Sequence, residues 1–227
     1  MSFQKQFLTD LDRTINSKHL LNHPFYMAWT QGTLSKECLK EYAKEYYHHV
    51  KAFPTYLSAL HSHTEDQETR KHLLTNLIEE EDGSPNHPEL WKAFALSLGN
   101  TEEEITNHTR CHEIQSLIQS FRKNCLEGSV SDGLTALYAY ESQIPKICIS
   151  KIDGLKKHYG MTDPESWKYF TIHIAADLEH AAVERKLIAQ HINEKNATAA
   201  MHSAEQILNH LWDFLSHLCD RFHVKCA

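Results

Sequence analysis

The chain is short of the residues that interrupt regular structure, with seven glycines and six prolines among 227 residues. No long stretch alternates apolar and polar residues as a half-buried strand does, so sheet architectures are disfavoured and helices are expected almost throughout. Basic excess is missing too. The formal net charge is −7 with no basic stripe, which argues against a nucleic-acid partner. No apolar run is long enough to span a bilayer, and polar residues interrupt any signal-peptide pattern at the N-terminus, so no membrane span or leader is expected. The six cysteines (Cys38, Cys111, Cys125, Cys148, Cys219, Cys226) make no close Cys-x-x-Cys pair and read as reduced thiols of a cytoplasmic protein. The length suits one domain over residues 1–227.

What the chain has in plenty is helical periodicity and histidine, 18 in all. Phe3, Phe7, Leu8, Leu11 and Ile15 mark a first helix that breaks near His23-Pro24, and a short segment from Phe25 to Trp29 ends at Gly32. A long helix follows over about 37–63, in which Pro54 should produce a kink. Further helices are expected over about 66–81, from His87-Pro88 to Gly99, after the Thr101/Glu104 capping box, around Ile114–Phe121, and near Ile207–Leu218. Between these lie a long apolar helix over about 130–159, disturbed at Pro145 and Gly154, and another over about 163–193 opened by Asp163-Pro164. The expectation is an all-α bundle of about seven helices.

The most informative stretch is His173-Ile-Ala-Ala-Asp177-Leu-Glu-His180. At about 100° per residue, His173, Asp177 and His180 share one stripe while Glu179 points away. Phe170, Ile174 and Ala181 lie near that stripe, which should therefore face inward. Two imidazoles and a carboxylate facing a core need partners or a metal ion. With this much histidine, an exposed polar face would show the same spacing. Glu141 stands in an otherwise apolar helix one turn before Pro145; it is a ligand, the partner of Lys146 or Lys151, or simply exposed. The run Glu79-Glu80-Glu81-Asp82-Gly83-Ser84-Pro85-Asn86-His87 can turn one acid and His87 toward the same point, and spacing does not choose among the glutamates. Together these stretches offer three carboxylates and three histidines, enough for two metals in a helical bundle.

Phe25-Tyr26, the segment Lys51–His61, Glu80–His87, Tyr138–Pro145 and His173–His180 together resemble the haem-oxygenase-like dimetal oxidases typified by the chlamydial protein associating with death domains, within the wider group of TenA and pyrroloquinoline-quinone synthase C. The resemblance covers nearly the whole chain and weakens after about Cys219. It implies a seven-helix bundle, a homodimer, and an iron or mixed iron–manganese pair held by Glu80, His87, Glu141, His173, Asp177 and His180. It further implies oxygen-dependent synthesis of 4-aminobenzoate for folate in a single turnover. The ring would come from Tyr26 and the amino nitrogen from Lys151, with an external electron donor. Tyr42 and Tyr140 are candidate radical relays. Lys151 has apolar neighbours in sequence (Ile147, Ile149, Ile152), where desolvation would free its amine. Read without the resemblance, Tyr26 is a core aromatic and Lys151 a surface charge.

Three rivals stand beside this expectation. One is a dimetal oxidase acting on an external small molecule. Another is a metal-free, thiaminase-like hydrolase, which needs a cysteine nucleophile with a partner base, and no cysteine stands out in that way. The third is an interaction protein binding host death domains, which would need only the surface. Such a role agrees with export to a host if the source is an intracellular bacterium.

Overall fold

The computed structural model describes residues 1–224, and Cys226 lies outside them. The chain forms α1 (Phe3–Ser17), α2 (Pro24–Gln31), α3 (Lys36–His63), α4 (Gln67–Glu81), α5 (His87–Ser97), α6 (Glu102–Thr106), α7 (His112–Leu126), α8 (Val130–Glu141), α9 (Ile144–His158), α10 (Lys168–His191) and α11 (Ala197–Arg221). No strand occurs among the described residues, so the protein is all-α. No described helix is long and apolar enough to cross a membrane. Helix starts follow the polar residues that cap them: Ser2, Ser35, Asp66, Asn86, Thr101 and Ser129 each accept a backbone N–H of the first turn.

Two boundaries differ from expectation. The apolar run over 130–159 is two helices, because Pro145 has no N–H to donate and sits instead in the first turn of α9. Gln143 fills the break: its side chain accepts from Leu20 N at 2.9 Å and donates to Ala139 O at 2.7 Å. Asp163 caps only the 3-10 turn Pro164–Trp167, and α10 starts later, at Lys168. α3 has the extent expected of it, from Lys36 through Pro54 to His63. These splits, with the short α2 and α6, raise the helix count above seven.

α8 is buried on nearly every side and packs against α7, α10 and α11. α3 packs on α4, α5 and α7, while α9 lies against α10 and α2. α2 holds its place through Phe25 and Trp29, both fully buried. Burying the Phe25 ring alone contributes on the order of 2–3 kcal/mol. Gly154 permits the close approach of α2 to α9, since a Cβ there would sit 2.6 Å from Trp29 Cδ1. Trp29 Nε1 then donates to Lys151 O at 3.2 Å, and the contact fixes α2 beside Lys151.

Candidate metal centre

The centre is assembled from the end of α4, the start of α5, the last residue of α8 and the inner stripe of α10. Glu80 continues the buried stripe Thr69, Leu73, Asn76 on α4. His87 opens α5, where the Asn86 capping box fixes the first turn. Ligand atoms of Glu80, His87 and His173 lie within 4.8 Å of one another, and so do those of Glu141, Asp177 and His180. All six residues are buried. Glu179 is exposed and Phe170 fully buried, as the helical phase requires; Ile174 and Ala181 are half-buried.

Hydrogen bonds outside the two clusters turn the imidazoles. His173 Nδ1–H donates to Tyr169 O at 2.7 Å, which points Nε2 toward Glu80 at 3.9 Å. His180 Nε2–H donates to Glu79 Oε2 at 3.0 Å, leaving Nδ1 3.4 Å from Glu141 and 3.6 Å from Asp177. Fixing one ring nitrogen in this way presents the other as a metal ligand. Glu141 Oε1 also accepts from Asn76 Nδ2 at 2.9 Å. Neither Lys146 nor Lys151 pairs with Glu141: Lys146 is exposed, and Lys151 Nζ bonds elsewhere.

The donor set fits a pair of metal ions. Four buried carboxyls (Glu80, Glu141, Asp177, Glu184) gather with three imidazoles, and among the described residues no Lys or Arg forms an ion pair with any of them. His87 Nδ1 and His180 Nδ1 lack a well-aligned hydrogen bond although carboxylate oxygens stand 2.9 and 3.4 Å away. Among protein groups alone, burial pushes the Asp177 carboxyl up to about 7. Burial would lower His180, but Asp177 and Glu141 outweigh it and raise the ring to about 11. Nitrogen and carboxylate oxygen donors of this kind suit iron and manganese. Between the clusters lies a cavity of about 10 Å³, lined by Val50, Phe53, Glu80, Tyr140, Glu141, Tyr169, His173 and Asp177.

A second buried constellation adjoins the first. Lys151 Nζ donates to Tyr42 Oη at 2.7 Å and lies 5.5 Å from the centre of the Tyr26 ring. The Tyr26 and Tyr42 hydroxyls are 3.3 Å apart. The Tyr42 ring stacks on Tyr46 with 5.4 Å between centroids, Tyr46 Oη donates to Tyr140 Oη at 2.8 Å, and Tyr140 lines the cavity. Tyr26 and Lys151 are thus in contact with one another's partners and joined to the metal centre by an unbroken aromatic series. Burial pushes Lys151 down to about 8 and raises the Tyr26 phenol. Ile149 is half exposed and takes no part; the low-dielectric surroundings come from aromatic rings, including Trp29, Trp91 and Phe170.

Sequence reasoning missed four members of these constellations. Glu184 continues the 173, 177, 180 stripe by one more turn, a signal that was available. Tyr46 lies one turn after Tyr42 on α3. Asn76 and the role of Glu79 carried no sequence signal of their own.

Fold and centre together define a class: an all-helical bundle whose core carries paired carboxylate–imidazole clusters able to hold two metal ions. The model of a family described as iron-containing redox enzyme matches residues 40–212. The chain belongs to that family and is an enzyme of the haem-oxygenase-like group. It is 44% identical over 206 residues to the 4-aminobenzoate synthase of Chlamydia pneumoniae, covering 91% of this chain and 92% of the relative. The 4-aminobenzoate synthase of Nitrosomonas europaea is 41% identical over 226 residues, covering 95% and 92%. A solved domain of haem oxygenase-like fold from Shewanella denitrificans superposes with TM-score 0.82 at 16% identity, over 98% of this chain and 94% of that one. That likeness shows the shared fold.

Proposed function

We propose that this protein makes 4-aminobenzoate from its own Tyr26, with Lys151 giving the amino nitrogen, dioxygen as oxidant and an external reductant, once per chain. The support is the placement of Lys151: a buried amine 2.7 Å from the Tyr42 hydroxyl and against the Tyr26 ring, joined through Tyr46 and Tyr140 to the metal centre. Glu80, His87, Glu141, His173, Asp177 and His180 would hold the two ions, iron with iron or iron with manganese. A reduced pair of this type supplies dioxygen activation.

The protein's own groups do the rest. Desolvation leaves about half of the Lys151 amine unprotonated near pH 8, so a nitrogen lone pair is available at modest pH. The Tyr42 hydroxyl accepts from Lys151 and meets the Tyr26 hydroxyl, holding amine and phenol on one side of the ring. Surrounding rings exclude water from both.

Cavity size argues against an external aromatic substrate. Ligand pockets for small molecules typically measure about 300–1,000 Å³. The space beside the clusters is about 10 Å³, room for a single water-sized molecule. Dioxygen needs little more than that. The experiment is a single turnover: protein given ferrous iron, reductant and oxygen, with no added aromatic compound. It should release at most one 4-aminobenzoate per chain and leave mass lesions at residues 26 and 151, the sources of ring and nitrogen. Repeated turnover, or normal product from Tyr26→Phe, would remove Tyr26 from the scheme.

A further inference from the structure

The surface between α7 and α11 carries a donor set that the core centre does not use. Cys111 is the residue before α7, Glu113 stands in its first turn, and His217 meets both from α11. One ligand atom from each lies within 4.8 Å of the others: a sulfur, a carboxylate oxygen and an imidazole nitrogen. All three residues are half-buried, so the group is open to ions from solvent. None of the helices that supply the two core clusters contributes to it.

Protein groups alone leave these donors poorly matched. His217 Nδ1 stands 3.5 Å from Glu113 Oε2, longer than an ordinary hydrogen bond, and that pairing makes no use of the Cys111 sulfur. The groove beside the triad, about 400 Å³ in volume, is also lined by His112, His210, Asp213 and Asp220. No lysine or arginine lines it, and among the described residues none pairs with Glu113, Asp213 or Asp220. Burial, with Glu45 and Glu113 nearby, pushes the Cys111 thiol up to about 12. The thiol therefore keeps its proton without a metal, and the acids that favour the proton favour a cation in its place.

We propose that Cys111, Glu113 and His217 form a separate site for one borderline-soft divalent ion of the zinc type, with water in the fourth position. Sulfur, imidazole nitrogen and carboxylate oxygen are the donors such an ion takes in tetrahedral sites. The sulfur sets this site apart from the core clusters, whose oxygen and nitrogen donors suit harder metals. On binding, the Cys111 S–H bond gives way to a metal–thiolate bond and one proton leaves to solvent. The ion ties the start of α7 to the last turns of α11.

The test is anaerobic titration of the full chain, already supplied with Mn(II), with Co(II), read as the near-ultraviolet thiolate-to-cobalt charge-transfer band. Neither core cluster contains a cysteine, so the band reports binding away from them. Wild type should develop it up to about one Co(II) per chain, and an equal amount of Zn(II) should remove it. Cys111→Ser should lose the band; serine is a favoured residue before a helix, so the fold should hold. Should it not fold, Cys111→Ala answers the same question. His217→Ala and Glu113→Gln should each weaken Co(II) binding by about 10-fold or more, since losing a ligand exceeds losing its outer partner. Cys226→Ser should keep the band. No band in wild type overturns the proposal, as does a band that survives Cys111→Ser or disappears in Cys226→Ser. A band lost with Cys111 yet unmoved by His217→Ala or Glu113→Gln is a lone thiol taking up cobalt, and overturns the site as well.

Discussion

Two groups of buried acids in this fold have nearly the same composition and opposite means of neutralisation. On α3, Glu41 and Glu45 face His108 Nε2 at 3.5 and 3.0 Å, and the three offer ligand atoms within 4.8 Å of one another. There, Lys44 and Arg221 pair with Glu41 at 2.9 and 2.6 Å, and Cys111 N donates to Glu45 at 3.0 Å. At the α10 centre the acids are more numerous and no Lys or Arg pairs with them among the described residues. A carboxylate–imidazole triad is therefore weak evidence for a metal by itself. The informative feature is a buried negative excess that the protein leaves uncompensated, because desolvated charge must be met by something.

The comparison can be broken most directly by truncating one acid in each group. Glu141→Ala should lose metal from its cluster and reduce product by more than about a hundredfold, since ligand loss exceeds the effect of losing an outer hydrogen bond. Glu41→Ala should keep both metals and form product. Metal loading adds a second reading. With free metal about 1,000-fold above its dissociation constant, wild type should gain about 4 kcal/mol of stability, and Glu41→Ala should gain the same. Elemental analysis and melting curves with and without metal decide the matter. A metal-induced rise that vanishes in Glu41→Ala would invert the assignment.

Much of this difference was legible in the sequence, and the illegible part has physical reasons. The stripe His173, Asp177, His180 is visible because its helical phase also takes in Phe170, which turns polar residues toward the core rather than toward water. The disturbance at Pro145 was legible as well, but not that it ends α8 at Glu141, because α8 is buried on nearly every side and its apolar residues show no phase to lose. Glu79, Glu80 and Glu81 look alike in sequence, yet Glu80 enters the core, Glu79 orients His180 from a half-exposed position, and Glu81 is exposed. Their helical phase relative to Leu73 could have chosen Glu80; which outer group each imidazole meets could not be read. Tyr26 and Lys151 were assigned by resemblance, since a lone buried lysine leaves no periodic trace. Their contact appears only when α2 crosses α9 at Gly154.

Lys151 sharpens the contrast from the opposite sign, as a buried amine that bonds a tyrosine hydroxyl and pairs with no carboxylate among the described residues. Burial holds it at about 8, well below the ordinary lysine value. The unfolded chain then binds more protons than the folded one at intermediate pH. The destabilisation is therefore full below pH 8 and fades as pH rises toward about 10.4. Lys151→Met should be more stable than wild type at pH 7 by on the order of 3 kcal/mol, with the gap closing above pH 8. It should bind metals normally and release no 4-aminobenzoate. Denaturant melts at pH 7 and pH 10 test the first claim, and a variant less stable at pH 7 would show that packing outweighs desolvation.

The smallest expected effect lies in the compensated group. The Arg221 side chain is half exposed while the Glu41 side chain is nearly buried, so solvent screens the pair and Lys44 remains in place when Arg221 is lost. Arg221→Met should cost less than about 1 kcal/mol at neutral pH. Burial works to raise the Glu41 carboxyl, but Lys44 and then Arg221 outweigh it and hold the group below its ordinary value. A carboxyl depressed in the folded state stabilises above its unfolded value and loses that contribution as pH falls through the folded one. The difference between Arg221→Met and wild type should therefore be complete at neutral pH and shrink in acid below the ordinary carboxylate range. Paired urea titrations at neutral and acid pH measure it. A difference that persists unchanged in acid would assign the role of Arg221 to its guanidinium over the Phe222 ring, 5.6 Å from the ring centre, rather than to its pairing with Glu41.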